Sequence, residues 1–332
     1  MAFVFISTPA HNAARRMGEY SGHILVLRGG AIGDFILTLP VFSALRAQFP
    51  RARLSVLGYR QVAQLALAGG LVDEVRCIEA QALAGFFAAR GVLDGRLQDF
   101  FAGFDIIVSY LYDPDGVFQT NVARCSQAQF IAGPHRPDEP AGRHATEVLL
   151  KPLERLAIFG ADPRPRLALP VSESAGRPGA LALHPGSGSE RKNWPEPLWA
   201  KLLANFFALE VNQPQPASLL LVGGEAEGER LERLSRPLPP GQFTLASNRP
   251  LTELAFLLRE CAAFVGHDSG ISHLAAALGL PVLCLWGETS ASVWRPRNDR
   301  VRLLHSPSGL AGLTVKRVLG ELAELLSFRP SA

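Results

Sequence analysis

No two cysteines of this chain lie close together: Cys77, Cys125, Cys261 and Cys284 are scattered through 332 residues, which excludes the paired spacing of structural zinc sites and small disulfide scaffolds. A reducing cytoplasm is the expectation. Long apolar runs are missing as well. Nothing approaches the roughly 18 to 20 residues a helix needs to cross a bilayer, and the stretch around Leu274 to Trp286 is broken by Gly279 and Pro281. Charge is scarce: 19% of residues are charged, and 33 basic against 30 acidic residues leave a net charge of only +3. With no long basic run, the global field offers little to nucleic acid, and none is expected as a partner. The first glycine-rich turn does not match the dinucleotide fingerprint G-x-G-x-x-G, so a nicotinamide cofactor is disfavoured. The opening residues MAFVFISTPA are apolar, but Arg15 and Arg16 follow them where a secretory signal would carry small residues. Residues 1–22 are expected to be a poorly ordered extension.

What is present is the composition of a packed protein. At 48% apolar the chain excludes disorder, and its length exceeds what one hydrophobic core usually serves, so two domains are expected. From His23 short runs of Val, Ile and Leu alternate with helical stretches, the pattern of a parallel sheet covered by helices. Strands are predicted over 24–27, 53–57 and 105–110, and helices over 34–49 and 61–68, with Pro40 kinking or restarting the first helix. The proline-rich segment 162–178 reads as a linker. The alternation then restarts with strands over 180–184, 218–222, 263–266 and 282–286 and helices over 195–209, 227–234, 251–259 and 272–278. The stretch 313–328 has helical spacing.

Three polar turns each follow an apolar strand. Arg28 to Asp34 reads RGGAIGD, His184 to Lys192 reads HPGSGSERK, and Asp268 to Gly270 reads DSG. Such turns aim backbone N–H groups and helix N-termini at anions, and together they suggest an enzyme handling a nucleotide diphosphate. Asp34 stands where a carboxylate either caps a helix or takes a proton from an incoming hydroxyl. Lys192, with the hydroxyls of Ser187 and Ser189 and the backbone of Gly188, suits phosphate oxygens, and Asn193 with Glu196 has capping-box spacing. Glu225 closes another strand, where an acid either accepts ribose hydroxyls or caps a helix. Asp268, Ser269 and Gly270 form the last turn, with His273 inside the following helix. Asp113, with Asp115, lies in a loop that either forms turns or meets an acceptor. Arg136, Arg143, Lys151 and Arg155 form a basic group that is either a solvated face or a surface for a phosphorylated acceptor or an anionic membrane.

These segments together resemble the heptosyltransferase family, glycosyltransferase family nine. The resemblance covers most of residues 23 to 300 and rests on four ordered motifs: ILVLRGGAIGDFILTLPVFSALRAQFP, LALHPGSGSERKNWPEPLWAKL, LLLVGGEAEGERLERL and LTELAFLLRECAAFVGHDSGISHLAAALGLPVLCLWGET. It implies an α/β fold of GT-B architecture, with two Rossmann-like, doubly wound domains facing a cleft. The acceptor-side domain would span 23–170, the nucleotide-sugar domain 179–310, and helix 311–330 would pack back on the first. It implies metal-independent transfer with inversion, most often of heptose from ADP-heptose, to a lipopolysaccharide core or related surface glycan. That setting is cytoplasmic, with peripheral contact at the inner membrane. No cofactor is implied beyond the donor. Carried over by position, Asp34 matches the catalytic base and Lys192 with Ser187, Gly188 and Ser189 the diphosphate turn. Glu225 matches the ribose acid, and Asp268, Ser269, Gly270 and His273 the donor motif. Gly30, Asp113 and Arg136 fall on the acceptor side. Gly29-Gly30-Ala31 departs from the usual Leu-Ser-Ala, and Trp286-Gly287-Glu288-Thr289 from aromatic-Gly-Pro-Thr, so sugar identity is left open. The rivals are another nucleotide-sugar donor, an epimerase or hydrolase of the same fold, and a binding protein without turnover.

Overall fold

The computed structural model describes residues 20–171, 179–209 and 218–327. The expected extension therefore lies almost wholly outside the described residues, as does the end of the linker. The chain divides into two compact units, one of residues 1–30, 38–137 and 145–163, the other of 31–37, 138–144 and 164–332.

The first unit is built on five parallel strands, β1 (His23–Arg28), β2 (Arg53–Gly58), β3 (Glu74–Cys77), β4 (Ile106–Ser109) and β5 (Gln129–Ala132), in the order β3-β2-β1-β4-β5. β1 pairs Ile24 with Leu54 on one side and with Ile106 on the other. Ile24 to Leu27 are almost wholly buried, as a central strand with both faces covered must be. Between β1 and β2 the helical stretch breaks in two, α1 (Ile32–Ile36) and α2 (Leu39–Gln48), with Pro40 in the first turn of the second. Proline fits there because that N–H has no intrahelical partner. The restart expected at Pro40 is thus present, and α1 belongs to the second unit rather than to the sheet that precedes it.

The second unit carries six parallel strands, β6 (Leu181–Leu183), β7 (Leu219–Gly223), β8 (Phe243–Ser247), β9 (Ala263–His267), β10 (Val282–Leu285) and β11 (Val301–Leu304). Their order is β11-β10-β9-β6-β7-β8, the doubly wound order in which β6 and β9 lie side by side where the winding reverses. Ligands of such sheets bind beyond the strand carboxyl ends at that reversal. The turns His184 to Lys192 and Asp268 to Gly270 leave those two strands.

One expectation is corrected. The C-terminal helix, Val315–Ser327, packs in the second unit: Leu313, Val315, Val318, Leu322 and Leu325 join Trp194, Trp199 and Leu202 in one core. The indole N–H of Trp194 donates to the Leu313 carbonyl at 3.0 Å. The apolar stripe of this helix finds its partner in the domain it follows. The described part of the proline-rich linker is also bound to this unit. Leu167 is buried, its N–H donating to the Ala277 carbonyl at 2.8 Å, and Arg259 donates to the Pro170 carbonyl at 2.6 Å.

Candidate functional site

Helix Glu196–Leu209 and the turn before it are held by one buried imidazole. His267, at the end of β9, accepts the Trp194 N–H on Nε2 at 2.8 Å and lies 3.1 Å from the Gly186 carbonyl through Nδ1. An acceptor Nε2 requires the proton on Nδ1, so His267 is neutral and ties both ends of the 186–194 turn to β9. Burial pushes its pKa down to about 3. Sequence reasoning passed over this residue, although its place directly before Asp268 at a strand end was the available signal.

Within that turn the predicted residues are engaged with one another. The Ser187 hydroxyl lies 3.0 Å from the Ser189 carbonyl and 2.8 Å from Asn193 Oδ1. Gly188 adopts φ +73°, a left-handed conformation that glycine enters without steric cost, and its N–H donates to Glu227 Oε1 at 3.3 Å. Glu227 also accepts the Gly224 N–H at 2.9 Å and is itself buried. The acid that joins the two glycine turns is therefore Glu227, three residues after Gly224 as in a capping box, whereas Glu225 is exposed at the start of the same short helical turn. Asn193 and Glu196 do not form the capping pair their spacing suggested. Arg233 takes both Glu196 oxygens at 2.8 and 2.9 Å, and such charge-assisted bonds outcompete a reach back to a neutral N–H. Arg230 grips both Glu190 oxygens at 2.8 Å and holds that carboxyl below the usual carboxylate range.

The last turn meets the second one through charge. Lys192 Nζ lies 2.7 Å from Asp268 Oδ2, with the lysine side chain 45% exposed and the carboxylate 12%. Ser269 is the N-cap of helix Gly270–Ala277, its hydroxyl accepting the Ser272 N–H at 3.4 Å. His273, in that helix, is buried, and burial lowers its pKa to about 4 against the opposing pull of Asp268 and Asp34. His184 is buried too, its Nδ1 3.4 Å from the Ser269 hydroxyl, and burial pushes it to about 4.

Asp34 comes to the same place because α1 packs on the start of helix Gly270–Ala277. A Cβ added to Gly33 would stand 3.6 Å from His273 Cδ2, and one added to Gly270 would stand 2.7 Å from Ile32 Cβ and 2.8 Å from the Gly33 nitrogen. Only glycine at 270 permits this approach. We expect Gly270→Ala to push the two turns apart and to cost about 1–3 kcal/mol, read as a lowered midpoint in thermal melts. The Asp34 carboxylate accepts the Ala31 N–H at 2.9 Å, occupying the third helical position with a fixed direction. Asp34, His273, Asp268 and Lys192 thus form one cluster in the second unit.

The residues expected on the acceptor side, Gly30, Asp113 and Arg136, stand in the first unit. Gly30 ends the β1 turn at φ +96°. Asp113 accepts the Phe118 and Gln119 N–H groups, each at 3.0 Å, so it caps helix Val117–Ala123, the turn-forming role its sequence context allowed. It lines a cavity of about 200 Å3 with Tyr112, Gln119 and His135. Arg136 is exposed on the loop after β5. Among the described residues no cluster of His, Cys, Asp or Glu is placed to hold a metal ion, and no helix is long and apolar enough to cross a membrane.

Comparison with known proteins converges on the same segments. The family model for glycosyltransferase family 9 (heptosyltransferase) matches residues 157–316, which contain the whole of the 186–194 and 268–273 turns. Lipooligosaccharide heptosyltransferase 2 of Haemophilus influenzae is 30% identical over 36% of this chain and 34% of its own length, so that match spans about a third of the relative. Lipopolysaccharide heptosyltransferase 3 of Escherichia coli is 21% identical over 81% of this chain and 83% of its own. The solved structure of the E. coli ADP-heptose lps heptosyltransferase II aligns with a TM-score of 0.72 at 19% identity, covering 92% of this chain and 98% of that one, which establishes a shared GT-B-like fold of two parallel sheets with helices. The family model, which matches just under half of the chain, agrees with the relatives and the fold: the chain resembles glycosyltransferase family 9, the heptosyltransferases.

Proposed function

We propose that the protein is an inverting, metal-independent glycosyltransferase that moves a sugar, heptose from ADP-heptose in the first instance, onto a lipopolysaccharide core or related surface glycan at the cytoplasmic face of the inner membrane. The observation that carries this reading is the meeting of the Asp34 turn with the Asp268–His273 turn, with Lys192 on Asp268. A base and a cation are held within one cluster. In this mechanism Asp34 removes the acceptor hydroxyl proton as its oxygen attacks the anomeric carbon. The bond from that carbon to the donor diphosphate breaks with inversion. Lys192, released from Asp268, and the N–H groups at the start of helix Gly270–Ala277 take up the charge that grows on the departing diphosphate. Glu227 and His267 hold the 186–194 turn at its fixed shape meanwhile. Glu225, exposed at its strand end, is the acid this reading assigns to the ribose hydroxyls.

The test is a calorimetric screen of ADP, UDP, GDP and their sugar conjugates on the wild-type chain. Selective binding of ADP and ADP-heptose supports the reading. Preference for UDP or GDP transfers the donor assignment, and donor consumption at an unchanged rate without acceptor points to an epimerase or hydrolase instead. Removing the cation tests the diphosphate role separately: Lys192→Ala is expected to weaken ADP-sugar binding about ten- to a hundredfold, the loss of one charge-assisted contact. Unaltered binding would remove Lys192 from the donor site.

A further inference from the structure

The first unit carries a loop that displays apolar side chains on a backbone locked from beneath. Phe86 is buried against Phe101, their ring centroids 4.8 Å apart, whereas its neighbour Phe87 is 46% exposed and Val92 is 92% exposed. The backbone between them is fixed by helix Val117–Ala123 and the residue that ends it. The buried Asn121 amide donates to the Phe86 and Ala88 carbonyls at 3.0 and 2.9 Å, and Arg124 donates to the Gly91 carbonyl at 2.9 Å. Arg90 is held at φ +56°, a conformation a non-glycine residue adopts only where its surroundings impose it. Phe87 packs one side of its ring on the buried Phe118, centroids 4.9 Å apart, and leaves the other to solvent.

Along the loop itself basic groups outnumber acidic ones, with the exposed Glu79 and Asp99 just outside it. Between Gln81 and Arg96 the single acid is Asp94, and its carboxylate is spent on the Leu97 N–H at 3.1 Å as the cap of helix Gly95–Ala102. Arg90 and Arg96 flank Val92. Arg96 then lines a cavity of about 460 Å3 with Arg60, Arg76, Leu57, Leu97 and Phe100, and of these arginines Arg76 is paired with Glu74 at 2.6 Å. Scattered exposed apolar residues are ordinary on protein surfaces. Two of them on an immobilised loop beside a ring of guanidinium groups match the chemistry of an anionic bilayer, whose headgroup phosphates take arginine and whose interface takes Phe and Val.

We infer that Phe87, Val92, Arg90 and Arg96 form the face by which this protein docks on anionic phospholipid membrane. The inference rests on the membrane-side setting of the proposed function for its partner, not on the donor chemistry, and its test reads lipid binding alone. The full chain is sedimented with vesicles of phosphatidylcholine, and with phosphatidylcholine mixed about three to one with phosphatidylglycerol, at about 0.1 M salt. Wild type is expected to pellet with the mixed vesicles and to remain in solution with the neutral ones. Phe87→Ser/Val92→Ser is expected to lower the partition coefficient at least about tenfold, and Arg90→Gln/Arg96→Gln by a similar factor. Arg90→Gln/Arg96→Gln should keep the wild-type melting midpoint, Phe87→Ser/Val92→Ser should melt somewhat lower through the lost packing on Phe118, and both should keep ADP binding, which shows that they fold and that the donor site is intact. Equal binding to neutral vesicles, no binding to either kind, or variants that bind as wild type would each overturn the assignment. So would a loss that follows Arg143→Gln/Arg155→Gln instead. Loss of vesicle binding with ADP binding retained, or the converse, separates this face from the catalytic reading.

Discussion

Replacing Asp34 by Asn is expected to lower the rate of sugar transfer about 10²–10⁴-fold while leaving ADP and ADP-sugar affinity close to wild type. The structure makes Asn the decisive substitution. Asp34 does satisfy the bland reading of its position, since its carboxylate accepts the Ala31 N–H at 2.9 Å at the start of a helix. An Asn amide oxygen can accept that same N–H, so the local cap survives and only basicity is removed. Asp34→Ala removes both. It should show the same loss of transfer plus about 1 kcal/mol of stability, the usual worth of a cap. Initial rates under saturating donor, with calorimetry on the same samples, separate the two roles. An Asn variant that turns over near the wild-type rate would assign Asp34 to capping alone.

The route from sequence to this site was direct where the chemistry sat on central strands and obscure where it depended on edges and on second partners. β1, β2, β4, β6, β7, β9 and β10 were legible because strands flanked on both sides must be almost continuously apolar, and the turns that follow them inherit their place from the sheet. β3, with Glu-Val-Arg-Cys, and β11, with Val-Arg-Leu-Leu, were not. Both are edge strands whose outer faces carry charge, such as the Arg302 that pairs with Glu324 at 2.8 Å, and no apolar run marks them. Asp34, Lys192 and Asp268 stood out as candidates in their turns, but the close approach of the Asp34 turn to Gly270 did not. It follows from Gly270 and Gly33, which carry no chemistry of their own and act only by letting two helix starts approach. Glu227 and His267 were missed for a related reason. A residue that satisfies backbone groups of another segment leaves no motif in its own, and Glu225, two residues earlier, drew attention because it stood at the strand end. Within the basic group at Arg136 to Arg155, Lys151 is paired with Glu154 at 2.8 Å in its own helical turn, while the arginines around the 460 Å3 cavity are spread over residues 60 to 96 and had no sequence signature.

Stability of the folded chain is expected to fall steeply as pH drops from about 6.5 towards 4, by up to about 4 kcal/mol per pH unit near pH 5. The cause is the trio His184, His267 and His273, all buried, whose pKa values burial lowers to about 4, 3 and 4. In the unfolded chain each titrates near 6.5. Between those values the unfolded state binds protons that the folded state refuses, so falling pH favours unfolding, and three sites titrating together set the slope. The hydrogen bonds give the same sign: a second proton on His267 would have to displace the Trp194 N–H from Nε2, freeing the turn that carries Lys192. The carboxylates held below their ordinary range, Asp73, Glu190 and Glu196, also lose stabilisation in acid. Theirs is lost as pH falls below about 4, a lower window, and Glu190, 81% exposed, adds little. Against a total stability of about 5–15 kcal/mol, the histidine term alone should unfold the second unit within a few pH units of neutrality. Denaturant melts at pH 7, 6 and 5 check this, and His184→Asn should reduce the slope between pH 6 and 5 by about one third whatever it does to the midpoint, because the slope counts protons rather than contacts. Melts that superimpose from pH 7 to 5 would show that these imidazoles are charged in the fold, and with them would go the neutral His267 that fixes the 186–194 turn.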